Sequence, residues 1–142
     1  MITFKSIAHF RERLGELLKV RRGVYSGITM EIANEFRGKT IEQIRVNYDM
    51  ILMESDAIVI KLRLPDKRTR LAKKDGYRLI YLVSKLTEFV AFIDIYPKRG
   101  PRQQLDIEDK ELKRLLLCFA EEKENGLCHE QYRKGRHDSF DR

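Results

Sequence analysis

Ile58-Val59-Ile60-Lys61-Leu62-Arg63-Leu64 is the stretch on which the reading of this chain turns. Its β-branched residues and its stop at Pro65 predict a strand, because proline cannot extend a hydrogen-bonded ladder. Alternation sends Ile60, Leu62 and Leu64 to one face and Lys61 and Arg63 to the other, so the strand is half-buried with a basic outer side. Residues Tyr77 to Ser84 and Phe89 to Tyr96 read the same way. The short polar turn Lys85-Leu86-Thr87-Glu88 between them predicts neighbouring antiparallel strands, and three strands in succession make a meander.

Helical spacing lies to either side. Ile7, Phe10, Leu14, Leu17 and Leu18 recur every three or four residues, with Ser6 placed to cap the first turn. Val24, Ile28, Ile32 and Phe36 predict a second helix ending at Gly38, and the short link Lys19 to Gly23 predicts a helical hairpin. Thr40-Ile41-Glu42-Gln43 has the form of a capping box, yet Ile44, Val46, Tyr48, Met50 and Leu52 alternate, and the reading favours extended structure. After Gly100-Pro101, Leu105, Ile107, Leu112, Leu115, Leu116 and Phe119 predict a last helix, with Asp106, Glu108 and Asp109 in its first turn. From Glu121 the chain turns polar. The expected organisation is one domain over residues 1–122 and a flexible tail over 123–142. The fold class is α+β: a small antiparallel sheet flanked by an N-terminal helical hairpin and a C-terminal helix.

A chain of 142 residues, 42% of them hydrophobic, suits one core. No apolar run approaches the roughly 20 residues of a membrane span, and no signal peptide is visible, so the expected compartment is the cytoplasm with no membrane partner. Cys118 and Cys128 read as free thiols, and Cys128-His129, His9 and His137 do not form a spaced ligand set, so neither a metal nor another cofactor is expected.

The charge is uneven. Lys and Arg number 29 against 22 Asp and Glu, a net of +7. Residues 61–102 hold 12 basic and 4 acidic side chains, a local +8, which leaves the rest at −1. The excess therefore sits on the predicted strands and on the loop Asp66 to Gly76, which is too basic to fold upon itself and must face solvent or an anion.

The order helix, helix, strands, helix, with Gly76-Tyr77-Arg78-Leu79-Ile80-Tyr81 in the middle strand and Ile95-Tyr96-Pro97-Lys98-Arg99 closing the next, resembles the RelE/ParE toxin superfamily. The likeness is sharpest over residues 58–105 and is nearest to the HigB-like branch. It implies the toxin of a type II toxin-antitoxin pair: a ribosome-dependent mRNA endonuclease held in check by a cognate antitoxin. It also implies that Lys61, Arg63, Arg78, Lys98 and Arg99 gather in a cleft. Where some members carry a C-terminal tyrosine this chain has Leu105, so the general acid is unassigned unless Tyr96 or a tail residue such as His129 or Tyr132 replaces it, and without one cleavage would be slow or absent. A ParE-like inhibitor of DNA gyrase and a catalytically silent RNA-binding relative are the alternatives.

Metal-independent chemistry suits these residues. Cleavage by the 2′-hydroxyl needs a proton acceptor, a proton donor and positive charge on the phosphate. Arg78 and Arg99 suit the phosphate, while Lys61 or Lys98 can move protons. For Lys61 to act as base its pKa must fall by about three units from about 10.4, a cost of about 4 kcal/mol. Arg63, Lys67, Arg68, Arg70, Lys73, Lys74, Tyr77 and Arg102 are the candidate RNA contacts, the loop residues holding backbone phosphates. Tyr77, Tyr81 and Tyr96 more commonly pack than stack on bases.

Overall fold

The computed structural model describes residues 1–46, 50–54 and 56–132, with backbone only for Glu54, Gln131 and Tyr132. Tyr48 and His137 lie outside the described residues. The described chain is α+β. The strands are β1 (Thr3–Ser6), β2 (Met50–Glu54), β3 (Ala57–Leu64), β4 (Tyr77–Ser84), β5 (Phe89–Pro97) and β6 (His129–Tyr132). The helices are α1 (Ala8–Leu18), α2 (Ile28–Phe36), α3 (Ile41–Arg45) and α4 (Asp109–Glu124).

The meander forms the centre of one sheet ordered β2-β3-β4-β5-β1-β6. Leu62 stands opposite Leu79 and Arg63 opposite Arg78, while Arg78 in turn stands opposite Tyr96. The sheet is mixed, not purely antiparallel: β1 enters parallel beside β5, pairing Thr3 with Phe89 and Ser6 with Phe92. Four residues are too few for alternation to show in sequence. Ser6 accordingly serves β1 and does not cap α1, whose N-cap is Ile7 with no side-chain cap; the Ser6 hydroxyl instead accepts from Arg11 at 3.2 Å.

Alternation in β3 divides the structure into layers. Ile58, Ile60, Leu62 and Leu64 are buried on the side of α2 and α3. There Phe36 meets Tyr81 at 5.2 Å and Phe92 at 5.5 Å, and Phe10 of α1 meets the same Phe92 at 5.3 Å. The two expected N-terminal helices thus converge on one ring. On the other side Phe119 of α4 packs on Phe89, and Leu116 with Phe119 lines an apolar pocket over Val59 and Leu82. α4 packs over the Phe89 end of that face.

Three local expectations change. The Thr40 capping box forms: the Thr40 hydroxyl accepts from the Gln43 amide at 3.2 Å, and the Gln43 side chain accepts from the Thr40 amide at 2.8 Å. Residues 41–45 are therefore helical rather than extended, because capping and burial of Ile41 and Ile44 override the alternation, which describes only β2. α4 starts at Asp109, leaving Leu105 86% exposed and Ile107 buried in the segment before it. Beyond Glu121 the helix continues to Glu124, Gly126 turns at φ 68°, and β6 pairs antiparallel with β1. Among the described residues, no helix is long and apolar enough to cross a membrane.

Candidate anion-binding cleft

Residues that stand opposite one another in a ladder share a face. Lys61 pairs with Ile80 and Ile80 with Asp94; Arg63 pairs with Arg78 and Arg78 with Tyr96. The sheet therefore places Lys61, Arg63, Arg78, Asp94 and Tyr96 on one face, where Asp94, Tyr96 and Arg78 are buried, Lys61 is half-buried and Arg63 is exposed. The segment 98–107, running from β5 to α4, crosses in front of them.

The centre of the cleft is one carboxylate oxygen. Asp106 Oδ1 accepts from Lys61 Nζ at 2.9 Å, from the Ile107 amide at 2.8 Å and from the Tyr96 hydroxyl at 3.2 Å. The hydrogen bond from Lys61 holds the Asp106 carboxyl below the usual carboxylate value, against the opposing effect of burial. Beside it Lys98 Nζ donates to the Leu105 carbonyl. Burial, followed by the Arg78 and Lys61 cations, pushes the Lys98 ammonium below the ordinary lysine value, while Asp106 acts the other way. Burial pushes the Tyr96 phenol well up, with Asp106 adding to it.

Arg78 is buried and faces the loop. Its guanidinium donates to the carbonyls of Lys73 at 2.9 Å, Tyr77 at 3.2 Å and Lys74 at 2.9 Å. The loop 66–76 is accordingly folded, contrary to the expectation from its charge. Asp66 and Leu71 form a two-way backbone bridge, the Lys67 amide donates to the buried Glu31 at 2.7 Å, and Arg68 donates to the Gly23 carbonyl at 2.6 Å. Apart from that Arg68 bond, these contacts are made by the loop's backbone groups, and Lys67, Arg68, Arg70, Lys73 and Lys74 are all exposed.

Arg99 is exposed and pairs with Asp75 at 3.0 Å, and Arg102 is exposed beyond it. Arg63 is exposed at the cleft edge. Tyr77 belongs to the other side: it is buried at 1% exposure, and its hydroxyl donates to the buried Asp66 at 3.0 Å. That placement corrects the expectation that it contacts RNA. His129 and Tyr132 are also removed from the cleft, since β4, β5 and β1 lie between β6 and β3. At about 4.8 Å per strand they stand roughly 19 Å from Lys61. Tyr96 stands beside the basic cluster through its bond to Asp106, which also holds Lys61.

A second polar group backs the first. Asp94, fully buried, lies 3.0 Å from His9 Nε2 and 3.4 Å from Arg13. Arg13 also donates to Gln104 at 2.9 Å, tying α1 to the segment that carries Asp106. Sequence reading missed Asp106 and Gln104 in this role, because their pattern resembles the start of a helix and no spacing rule links Asp106 to Lys61.

No protein-family model matches the chain, and neither does any curated protein. Among solved structures the chain is similar to the isolated E. coli RelE toxin, in its P21 crystal form, at 17% identity and a TM-score of 0.38, over 81% of this chain and 99% of that one. At that score the likeness is loose, and the cleft is read from its own geometry.

Proposed function

We propose that this protein is an RNA endonuclease of the toxin-antitoxin kind, acting on mRNA at the ribosome, whose cleft binds the scissile phosphate on Lys61, Lys98, Arg63 and Tyr96. The observation that carries this reading is the convergence of Lys61 Nζ, Tyr96 OH and a backbone amide on one anionic oxygen, with Lys98 and Arg78 alongside. The strand motifs that resemble the RelE/ParE superfamily support it from the sequence.

The chemistry follows from the residues. The 2′-oxygen attacks phosphorus as its proton passes to a base, the bond to the 5′-oxygen breaks, and that oxygen takes a proton, leaving a 2′,3′-cyclic phosphate and a 5′-hydroxyl. Lys98, whose proton is loosened by burial and by neighbouring cations, serves as the base. Tyr96, whose proton is held firmly, serves as the donor. Lys61 and Arg63 stabilise the charge gathering on phosphorus, with Arg99 and the loop cations Lys67, Arg68, Arg70, Lys73 and Lys74 holding flanking phosphates. Arg78 contributes by position, fixing the loop and adding its field at Lys98. A cognate antitoxin would block the chemistry by covering this face.

Primer extension on a reporter mRNA in a translating extract tests the proposal. Wild type gives codon-phased cuts that Lys98→Ala and Tyr96→Phe remove. Intact mRNA with arrested DNA gyrase would replace this reading by that of a gyrase inhibitor.

A further inference from the structure

Resting on the reading of the cleft as a phosphate site, we propose that residues 100–107 form a built-in strap whose Asp106 carboxylate occupies the phosphate seat and must be displaced before RNA binds. The donors it engages on the sheet, Lys61 and Tyr96, are those assigned to the phosphate, and its Leu105 carbonyl takes up Lys98. A carboxylate and a phosphodiester carry the same single charge, so each substitutes for the other on these groups.

The strap is fastened at its ends and loosely held at its middle. At its start Gly100, at φ 90°, lies so close to Tyr25 that a Cβ would come 2.6 Å from the hydroxyl. That hydroxyl donates to the Arg99 carbonyl and accepts from the Arg102 amide, both at 2.9 Å. At its finish Ile107 is buried ahead of α4. Between them Leu105 is 86% exposed and the Asp106 side chain 62% exposed. Lifting the middle therefore takes little of the strap's own apolar surface out of the core. What holds it is polar: the Asp106 contacts, the Lys98 bond, the Gln104 side chain, which accepts from Arg13 at 2.9 Å and donates to the Asp106 carbonyl at 3.0 Å, and two backbone bonds, from the Gln104 amide to the Pro97 carbonyl at 2.9 Å and from the Gln103 amide to the Gly100 carbonyl at 3.1 Å. An incoming phosphate replaces the first two of these.

Counterion release provides a test that a merely structural role does not move. Neutralising one phosphate of a single strand steepens the dependence of log affinity on log salt by about 0.7. In the wild type Lys61 exchanges one anion for another, and the freed carboxylate collects a counterion, so this contact contributes almost nothing to the slope. The experiment measures anisotropy of a short fluorescein-labelled 2′-O-methyl RNA, which cannot be cut through its own hydroxyl, between about 50 and 200 mM salt. Asp106→Asn is expected to bind roughly two- to fivefold tighter, the worth of an exposed ion pair. Its slope should be steeper than the wild type's by about 0.7. Gln104→Ala, which loosens the strap but keeps the carboxylate, should tighten binding with a smaller change of slope. Unchanged or weaker binding by Asp106→Asn, in protein whose melting temperature matches the wild type, overturns the strap and leaves the phosphate site standing. An Asp106→Asn protein that binds tighter yet no longer cuts unmodified RNA makes Asp106 a catalytic residue and also overturns it. Failure of every form, wild type included, to bind the RNA removes the phosphate site and the strap with it.

Discussion

Lys61 Nζ donates to Asp106 Oδ1 at 2.9 Å across a sequence separation of 45 positions, and this contact joins the sheet to the segment in front of it. The pair is half open to solvent, with side-chain exposures of 28% and 62%. An exposed ion pair contributes about 0–1 kcal/mol to stability, so Lys61→Ala should leave the thermal midpoint within a few degrees of the wild type. If Lys61 stabilises the phosphate, cleavage should nevertheless fall by roughly 10² or more, the size of effect seen when one such donor is lost. Circular dichroism melting and single-turnover cleavage, measured on the same preparation, separate the two. A large drop in stability would show that Lys61 holds the fold rather than the substrate.

Lys98 provides a pH signature. Its ammonium is destabilised first by burial and then by Arg78 and Lys61, and Asp106 is the neighbour that opposes them. Asp106→Asn should therefore move the Lys98 titration further down, visible by NMR of ¹³C-methylated lysines. The sign for stability follows from proton counting. Between the lowered folded value and the ordinary 10.5 the unfolded chain binds more protons at this site, so stability rises with pH across that window. Lys98→Met should flatten that rise. Movement of the titration upward in Asp106→Asn would contradict the assigned environment.

The central meander was legible because β3, β4 and β5 are each eight or nine residues rich in β-branched and aromatic side chains and closed by proline or a polar turn. The side on which Lys61 and Arg63 emerge followed from the alternation in β3. β1 and β6 were not legible: each is four residues long and is held by pairing to a distant strand, which no local pattern records. Residues 40–45 were ambiguous because a capping box and an alternating run overlap there, and only the burial of Ile41 and Ile44 decides between them. The basic members of the cleft could be counted from composition. Its acidic member could not, since Asp106 acquires its role only when the turn after β5 brings it onto Lys61.

Gly76 tests how the cleft is built. A Cβ there would stand 2.0 Å from the Leu64 carbonyl oxygen and 2.8 Å from the Pro65 carbonyl carbon, both backbone atoms that cannot swing aside. The end of β3 and the start of β4 must separate to admit even a methyl group, and overpacking of this kind costs about 1–3 kcal/mol or more. Gly76→Ala should lower the urea midpoint accordingly and weaken RNA binding as well, because Arg63 and Arg78 sit on the two strands that part. An alanine variant with wild-type stability would mean that the strands are not in this close contact.

Arg78 separates positioning from direct phosphate contact. Its guanidinium spans the carbonyls of Lys73, Lys74 and Tyr77, a geometry that a planar fork satisfies and a single ammonium does not. Removing a charged donor from such acceptors costs about 1.5–3 kcal/mol, and Arg78→Lys should recover only part of it. The local consequence is sharper than the global one. Amides of residues 66–75 should lose hydrogen-exchange protection in Arg78→Ala while those of α2 keep theirs, and RNA affinity should fall as the loop cations lose their fixed places. If Arg78 served only to grip phosphate, affinity would fall with loop protection unchanged, and Lys67 to Lys74 would not depend on it for their arrangement.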